Sequence, residues 1–198
     1  MAPVSAARGF LQVARPDEEA ELGALIEAVA RGEPRAISRF FGRYQATVNR
    51  LVWRLLGADA AHDDVVSVAF ETMVRRIRDV RSPGALEGWV RAVTVNATRM
   101  ELRGRRWRRL FSRSIDEGVG LDHPDLSVPD EEQRERLRVL YRALGRLGAD
   151  ERQMLVLRHL EGLELTEVAE AMGCSLATLK RRLVRGEERL ATALGAQR

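Results

Sequence analysis

The sequence predicts an all-α protein: two small helical bundles joined by an acidic linker, the second containing a helix-turn-helix. Three observations carry this expectation. Apolar residues recur at threes and fours in one segment after another, and no strand-like alternation persists. The periodicity is lost from Ser112 to about Gln133, where Pro124, Pro129 and a run of Asp and Glu mark a linker. Finally, residues 164–190, ELTEVAEAMGCSLATLKRRLVRGEERL, have the form of a short helix, a tight turn and a basic helix.

Taken in order, Leu22, Leu25, Ile26 and Val29 mark a first helix that ends near Gly32–Pro34. Ile37, Phe40, Phe41, Tyr44, Val48, Leu51, Val52 and Leu55 step inward through a long second helix stopped by Gly57. The third helix follows Ala61–Asp64 and turns Val65, Val66, Ala69, Phe70, Met73, Val74 and Ile77 inward. Asp63 and Asp64 in its first turn suit the positive end of the helix dipole. Arg81-Ser82-Pro83-Gly84 reads as a loop. A fourth helix carries Trp89, Val90, Val93, Ala97 and Met100 inward and runs toward Phe111. Beyond the linker, Leu137, Leu140, Tyr141, Leu144 and Leu147, then Met154, Leu155 and Leu160, build the second bundle.

In the closing helix pair, Leu165, Val168, Ala169 and Met172 form an apolar stripe, and Gly173 sits where the chain must turn with positive φ. Ser175 offers an N-cap oxygen to the next helix. At about 100° per residue, Leu176, Leu179, Leu183 and Leu190 share one face of that helix. Ala177, Arg181, Val184 and Arg185 fall opposite, with Lys180 and Arg182 on the flanks. Leucines behind and short or basic residues in front suit a helix laid in a DNA groove.

The net charge is only +4, but it is unevenly placed. Residues 1–30 balance at −3, 31–111 at +9, 112–135 at −6 and 136–198 at +4. Two basic blocks separated by an acidic one point to two modules facing a polyanion. The second basic site is the end of the fourth helix, where Arg99, Arg103, Arg105, Arg106, Arg108 and Arg109 surround Trp107. Guanidinium groups satisfy phosphates, and an indole ring stacks on an unpaired base. Asn96, one turn earlier, offers an amide that can read a base edge.

Other classes are disfavoured. Cys174 is the single cysteine, so no internal disulfide framework exists; its place between two apolar runs suggests a packed thiol. His62, His123 and His159 are far apart, and no Cys/His spacing resembles a metal site. No phosphate-binding glycine loop, paired carboxylates or Ser/His/Asp arrangement is present, which argues against an enzyme and implies no cofactor. There is no signal-peptide core or membrane-length apolar run, so a cytoplasmic protein without membrane insertion is expected.

Two stretches resemble bacterial RNA polymerase sigma factors of the extracytoplasmic-function (ECF) type. HDDVVSVAFETMVRRI, the loop DVRSPGALEG, the segment Trp89-Val90-Arg91-Ala92-Val93-Thr94-Val95-Asn96 and ATRMELRGRRWRRL resemble region 2 of that family. LGADERQMLVLRHLEGLELTEVAEAMGCSLATLKRRLVRGEERL resembles region 4. The resemblance implies a region 2 at 22–111, an acidic linker at 112–133 and a region 4 at 134–194. It implies core RNA polymerase and promoter DNA as partners, and leaves room for an anti-sigma factor.

It also implies roles for particular residues. Asp63, Asp64, Ser67 and Glu71 would face the polymerase, with Ser67 standing where the family pattern has Gln. Val80, Arg81, Asn96, Arg99, Arg103, Arg106 and Trp107 would engage the −10 element, with Val80 where relatives often carry an aromatic residue. Lys180, Arg181, Val184 and Arg185 would read the −35 element, with Arg181 replacing a frequent Ser. Drawn out fully, the linker would reach roughly 70 Å, against about 26 Å as a relaxed coil. The alternative within DNA binding is a stand-alone helix-turn-helix transcriptional regulator, which leaves residues 60–111 without a role. A helical protein-binding adaptor with solvated arginine patches is the alternative from another class.

Overall fold

The computed structural model describes residues 16–57, 60–111 and 131–195. Among them all regular structure is helical: α1 (Pro16–Ala30), α2 (Pro34–Leu56), α3 (His62–Arg76), α4 (Leu86–Phe111), α5 (Glu131–Gly145), α6 (Ala149–Leu155), α7 (Leu165–Ala171) and α8 (Leu176–Gly195). Short 3₁₀ turns at Ile77–Asp79 and Pro83–Ala85 lie between α3 and α4. A wide π turn, Val156–Leu160, extends α6 and has no counterpart in the sequence periodicity. Most of the predicted linker, residues 112–130, lies outside the described residues.

Helices α1 to α4 form the first bundle because each presents an apolar stripe to the others. Phe40, Val48, Val52, Met73, Ile77 and Leu86 are buried at its centre. The Phe40 ring lies 5.0 Å from Tyr44 and 6.4 Å, edge-on, from Phe70, a geometry that favours aromatic pairs. Gly57 stops α2 with φ of 78°, and its N–H donates to the Trp53 carbonyl, as the sequence requires. In the second bundle Tyr141, Leu144, Met154, Leu157, Val168 and Leu179 are buried together.

Four inward assignments from periodicity are corrected; one is Leu160, which ends the π turn after α6 and is exposed while Leu155 and Leu157 are buried. Phe41 is 44% exposed and Met100 is 74% exposed. Phe40 takes the core position on α2, and its neighbour, about 100° around the helix, cannot share it. Leu176, in the first turn of α8, is also exposed, ahead of the turns where Leu179 and Leu183 are buried. Cys174 is half-buried rather than fully packed.

The two bundles are not independent bodies. Leu51, Trp53 and Leu55 of α2 and Val95 of α4 are buried with the second bundle rather than the first. Trp53 meets Tyr141 edge-on at 5.6 Å, and the Tyr141 hydroxyl donates to the Arg54 carbonyl at 3.2 Å. Burial pushes the Tyr141 phenol up to about 12. Val48, Val52 and Leu56 of α2 are buried in the first core, so this helix is apolar on two sides because it is covered on two sides.

Candidate nucleic-acid interface

The turn between α7 and α8 is built as the sequence dictates. Gly173 has φ of 61°, a left-handed conformation that glycine adopts freely. The Glu164 N–H donates to Glu167 Oε2 at 2.8 Å, which fixes the start of α7. Ser175 Oγ accepts the Thr178 N–H at 3.2 Å and caps α8. With Leu179 and Leu183 locked in the core, the opposite face of α8 is held toward solvent. Lys180, Arg181, Val184 and Arg185 all lie exposed there. No ion pair among the described residues engages Lys180, Arg181 or Arg185, so their charges are available to an outside anion. Val184 is 56% exposed amid these cations, an apolar contact suited to a thymine methyl group.

The second surface lies on α4 and the loop before it. Asn96 is exposed, while Val95 and Ala97 on either side are buried. Thr94 and Thr98 are also buried; their hydroxyls donate back to the carbonyls of Val90 and Thr94, each at 2.8 Å. Val80 is half-buried against the first core and Arg81 is exposed. The loop is tied down by Arg78, which donates to the Ala30 carbonyl at 3.2 Å, and by the Arg76–Asp79 pair at 2.7 Å. The backbone of α4 carries Arg106 and Trp107, whose side chains lie outside the described ones.

Arg99 and Arg103 have an occupant that the sequence reading did not anticipate. Arg99 Nε and Nη2 both donate to the Asp150 carboxylate at 2.6 Å, a bidentate fork. Arg103 Nη2 reaches the same carboxylate at 3.1 Å, and Arg182 Nη1 of α8 stands 3.8 Å from its Oδ2. The Arg99 guanidinium holds the Asp150 carboxyl below the ordinary carboxylate range. A carboxyl so depressed contributes stability above its unfolded pKa, lost as pH falls through the folded one. Acid titration followed by circular dichroism should show this loss in the wild type on the acid side of the ordinary carboxylate range. Asp150→Asn should lack that part of the transition.

On α3, Asp63, Asp64, Ser67 and Glu71 are exposed, and Glu71 pairs with Arg75 at 3.3 Å. Of these, Glu71 lines a mainly apolar groove of about 400 Å³ between α2 and α3, together with Ile37, Phe40, Phe41, Phe70, Val74 and Arg75. The Phe41 and Phe70 rings stand 4.4 Å apart at its wall, and Val68 is exposed nearby. The sequence reading missed this groove. Its signal was the Phe40-Phe41 pair, since one helix face cannot bury both.

These surfaces belong to an all-helical protein with an exposed cationic face on a helix-turn-helix. Residues 40–108 match sigma-70 region 2, and residues 137–190 match sigma-70, region 4. The chain is 30% identical over 172 residues to the ECF RNA polymerase sigma-E factor of Haemophilus influenzae, spanning 83% of this chain and 90% of that protein. The fold is similar to that of the sigma factor RpoE from Bartonella quintana, solved in complex with the anti-sigma factor NepR. The TM-score is 0.60 at 19% identity, over 81% of this chain and 98% of that one. It is also similar to CnrH, solved with the cytosolic domain of CnrY, with a TM-score of 0.57 at 20% identity over 88% of this chain and 97% of that one.

The chain belongs to the ECF RNA polymerase sigma factors. Its function is promoter recognition and transcription initiation with RNA polymerase; the stand-alone regulator is not favoured. This is not an enzyme family. No helix among the described residues is long and apolar enough to cross a membrane.

Proposed function

We propose that this sigma factor divides its work between a region 2 at 22–111 and a region 4 at 134–194, joined by the acidic segment 112–133. Region 4 reads the −35 element by laying α8 in the major groove. The observation that carries this is the unpaired cationic face of α8, opposite leucines locked in the core. Lys180, Arg181 and Arg185 supply donors to phosphates and base edges, and Val184 the apolar contact.

Region 2 engages the −10 element through Val80, Arg81, Asn96, Arg99, Arg103, Arg106 and Trp107, with the cations on the phosphates. Core RNA polymerase docks on α3 at Asp63, Asp64, Ser67 and Glu71, with its apolar contacts in the α2–α3 groove. The groove supports this placement because it is an apolar surface, uncovered among the described residues, that Glu71 of α3 also lines. An anti-sigma factor is a further partner in this reading, cytoplasmic action its setting, and binding without catalysis or cofactor its chemistry.

Run-off transcription with purified core polymerase and a promoter library tests the assignment as a whole: transcripts that depend on the added protein are expected, and none would overturn it. Within that assay, Arg185→Ala should cost about 1–3 kcal/mol in promoter affinity and relax sequence preference at one −35 position. A uniform loss on every promoter would make Arg185 a phosphate contact. No loss would remove it from the interface.

A further inference from the structure

Helix α4 has one long side that neither bundle covers. Val90 and Ala97 are buried in the first core and Val95 in the second, so two sides of the helix are taken. Between them Trp89 and Val93 lie half-buried against the first core, and beyond these the side opens. At about 100° per residue, Asn96, Met100 and Arg103 fall there within about 60° of one another. All three are exposed, and Met100, at 74%, is the most exposed large apolar side chain among the described residues.

A lone exposed methionine is ordinary on a protein surface. The neighbours of Met100 are what set it apart. The Asn96 amide has no hydrogen-bond partner among the described residues, so its donors and its acceptor are open to a ligand. Arg103 keeps 58% of its side chain exposed, and Asp150 engages only its Nη2, at 3.1 Å. From Gly88 to Gly104 the one acidic residue is Glu101, about 100° round the helix from Met100. The open side therefore presents an amide, a thioether and a guanidinium, with no carboxylate of its own helix among them. A nucleotide has one partner for each: a base edge, a base face and a phosphate. An apolar protein surface would match only the thioether, which favours a nucleotide as the occupant.

We propose that Asn96, Met100 and Arg103 form a site for a single unpaired nucleotide, with Met100 covering the face of its base. The site rests on the reading that Asn96 and Arg103 engage the −10 element, and it adds the stacking residue to that reading. Along the helix axis Met100 lies about 6 Å from Asn96 and about 4.5 Å from Arg103, separations on the scale of one nucleotide. The methionine chain is unbranched and its sulfur polarizable, so it can lie flat on an aromatic ring. The Asn96 amide then meets the base edge, and the remaining guanidinium nitrogens of Arg103 donate to the phosphate. A base takes this position only after it has left its stack, which a paired base has not. Met100 therefore favours melted over duplex DNA without contacting the polymerase.

The test uses the full chain assembled with core polymerase. The probe is a fluorescein-labelled single strand carrying the −10 element of a promoter found by run-off transcription. Met100→Ala should weaken binding of this strand about tenfold, the scale of one lost base stack. Met100→Leu, which keeps the apolar volume, should stay within about twofold. Assembly of Met100→Ala with core polymerase, and its binding to a duplex carrying only the −35 element, should not change. Replacing the nucleotides of the strand one at a time by abasic residues should then locate the base. At one position the losses caused by Met100→Ala and by Asn96→Ala should both disappear, because the group they contact is gone.

Unchanged strand affinity in Met100→Ala overturns the site. An equal weakening of assembly with core polymerase overturns it too, because Met100 is then a protein contact. So does a loss that no abasic position removes, or one that Asn96→Ala and Met100→Ala shed at different positions. Arg103→Ala separates this site from the reading beneath it. If Asn96→Ala and Arg103→Ala weaken the strand and Met100→Ala does not, the −10 assignment stands and the site falls. If none of the three does, both fall.

Discussion

Phe41→Asp is expected to weaken binding to core RNA polymerase by about 2 kcal/mol or more, roughly thirtyfold in Kd. Phe41 is 44% exposed on α2 and packs at 4.4 Å, tilted, on Phe70, at the wall of the groove that Glu71 also lines. A large exposed aromatic ring over an apolar cleft is the kind of anchor that carries a disproportionate share of an interface's energy. A carboxylate there must be desolvated on docking and finds Glu71 close by. The fold should survive, since the core position belongs to Phe40 and a polar side chain at 41 faces water. Titration of labelled protein with core polymerase, alongside thermal unfolding, checks both halves. Unchanged affinity would move the polymerase contact off the groove.

Leu55→Ala should destabilise the protein by about 2–5 kcal/mol, the cost of emptying a fully buried leucine site. The size of the effect is less informative than its distribution. Leu55 sits on α2 in the first bundle but is wholly buried, 0% exposed, in the core it shares with the second. The loss should therefore appear in both bundles, with tryptophan fluorescence and backbone dichroism shifting together in denaturant. Two separate transitions, with only one displaced, would mean that the bundles fold independently and that the shared cluster contributes little.

The helices were legible from the sequence because their determinants are local. Gly57 and Gly173 end elements by a conformation that only their own backbone needs, and Ser175 caps a helix three residues away. The exposed cationic face of α8 was legible for the same reason. Four leucine positions at helical spacing determine which way Lys180, Arg181, Val184 and Arg185 point, although Leu176 itself proved exposed. The −10 assignments were legible only as a list. Periodicity puts Asn96 and Arg99 on α4 but says nothing about Asp150, 51 residues further on, which Arg99 binds.

Periodicity also fails where a helix has more than one neighbour. Residues 51–56, Leu-Val-Trp-Arg-Leu-Leu, look like an overfilled stripe; the structure shows two half-stripes, Val52 and Leu56 facing one core, Leu51, Trp53 and Leu55 the other. Val95 was overlooked for the same reason, since it lies outside the stripe that faces the first bundle. Phe41 and Met100 were placed inward because a sequence shows which residues are apolar but not where the covering helices end.

By itself the sequence determined an all-helical chain with two basic blocks, a helix-turn-helix with an exposed cationic face, and membership in a family that brings RNA polymerase to promoters. These follow from residue types at short spacing, where backbone geometry alone decides which side chains share a face. Only the tertiary structure decided that the modules share a core, that an apolar groove opens beside α3, and that Asp150 holds Arg99, Arg103 and Arg182 at once. Those facts depend on contacts between residues far apart in the chain, and no local periodicity encodes the partner that a face will meet.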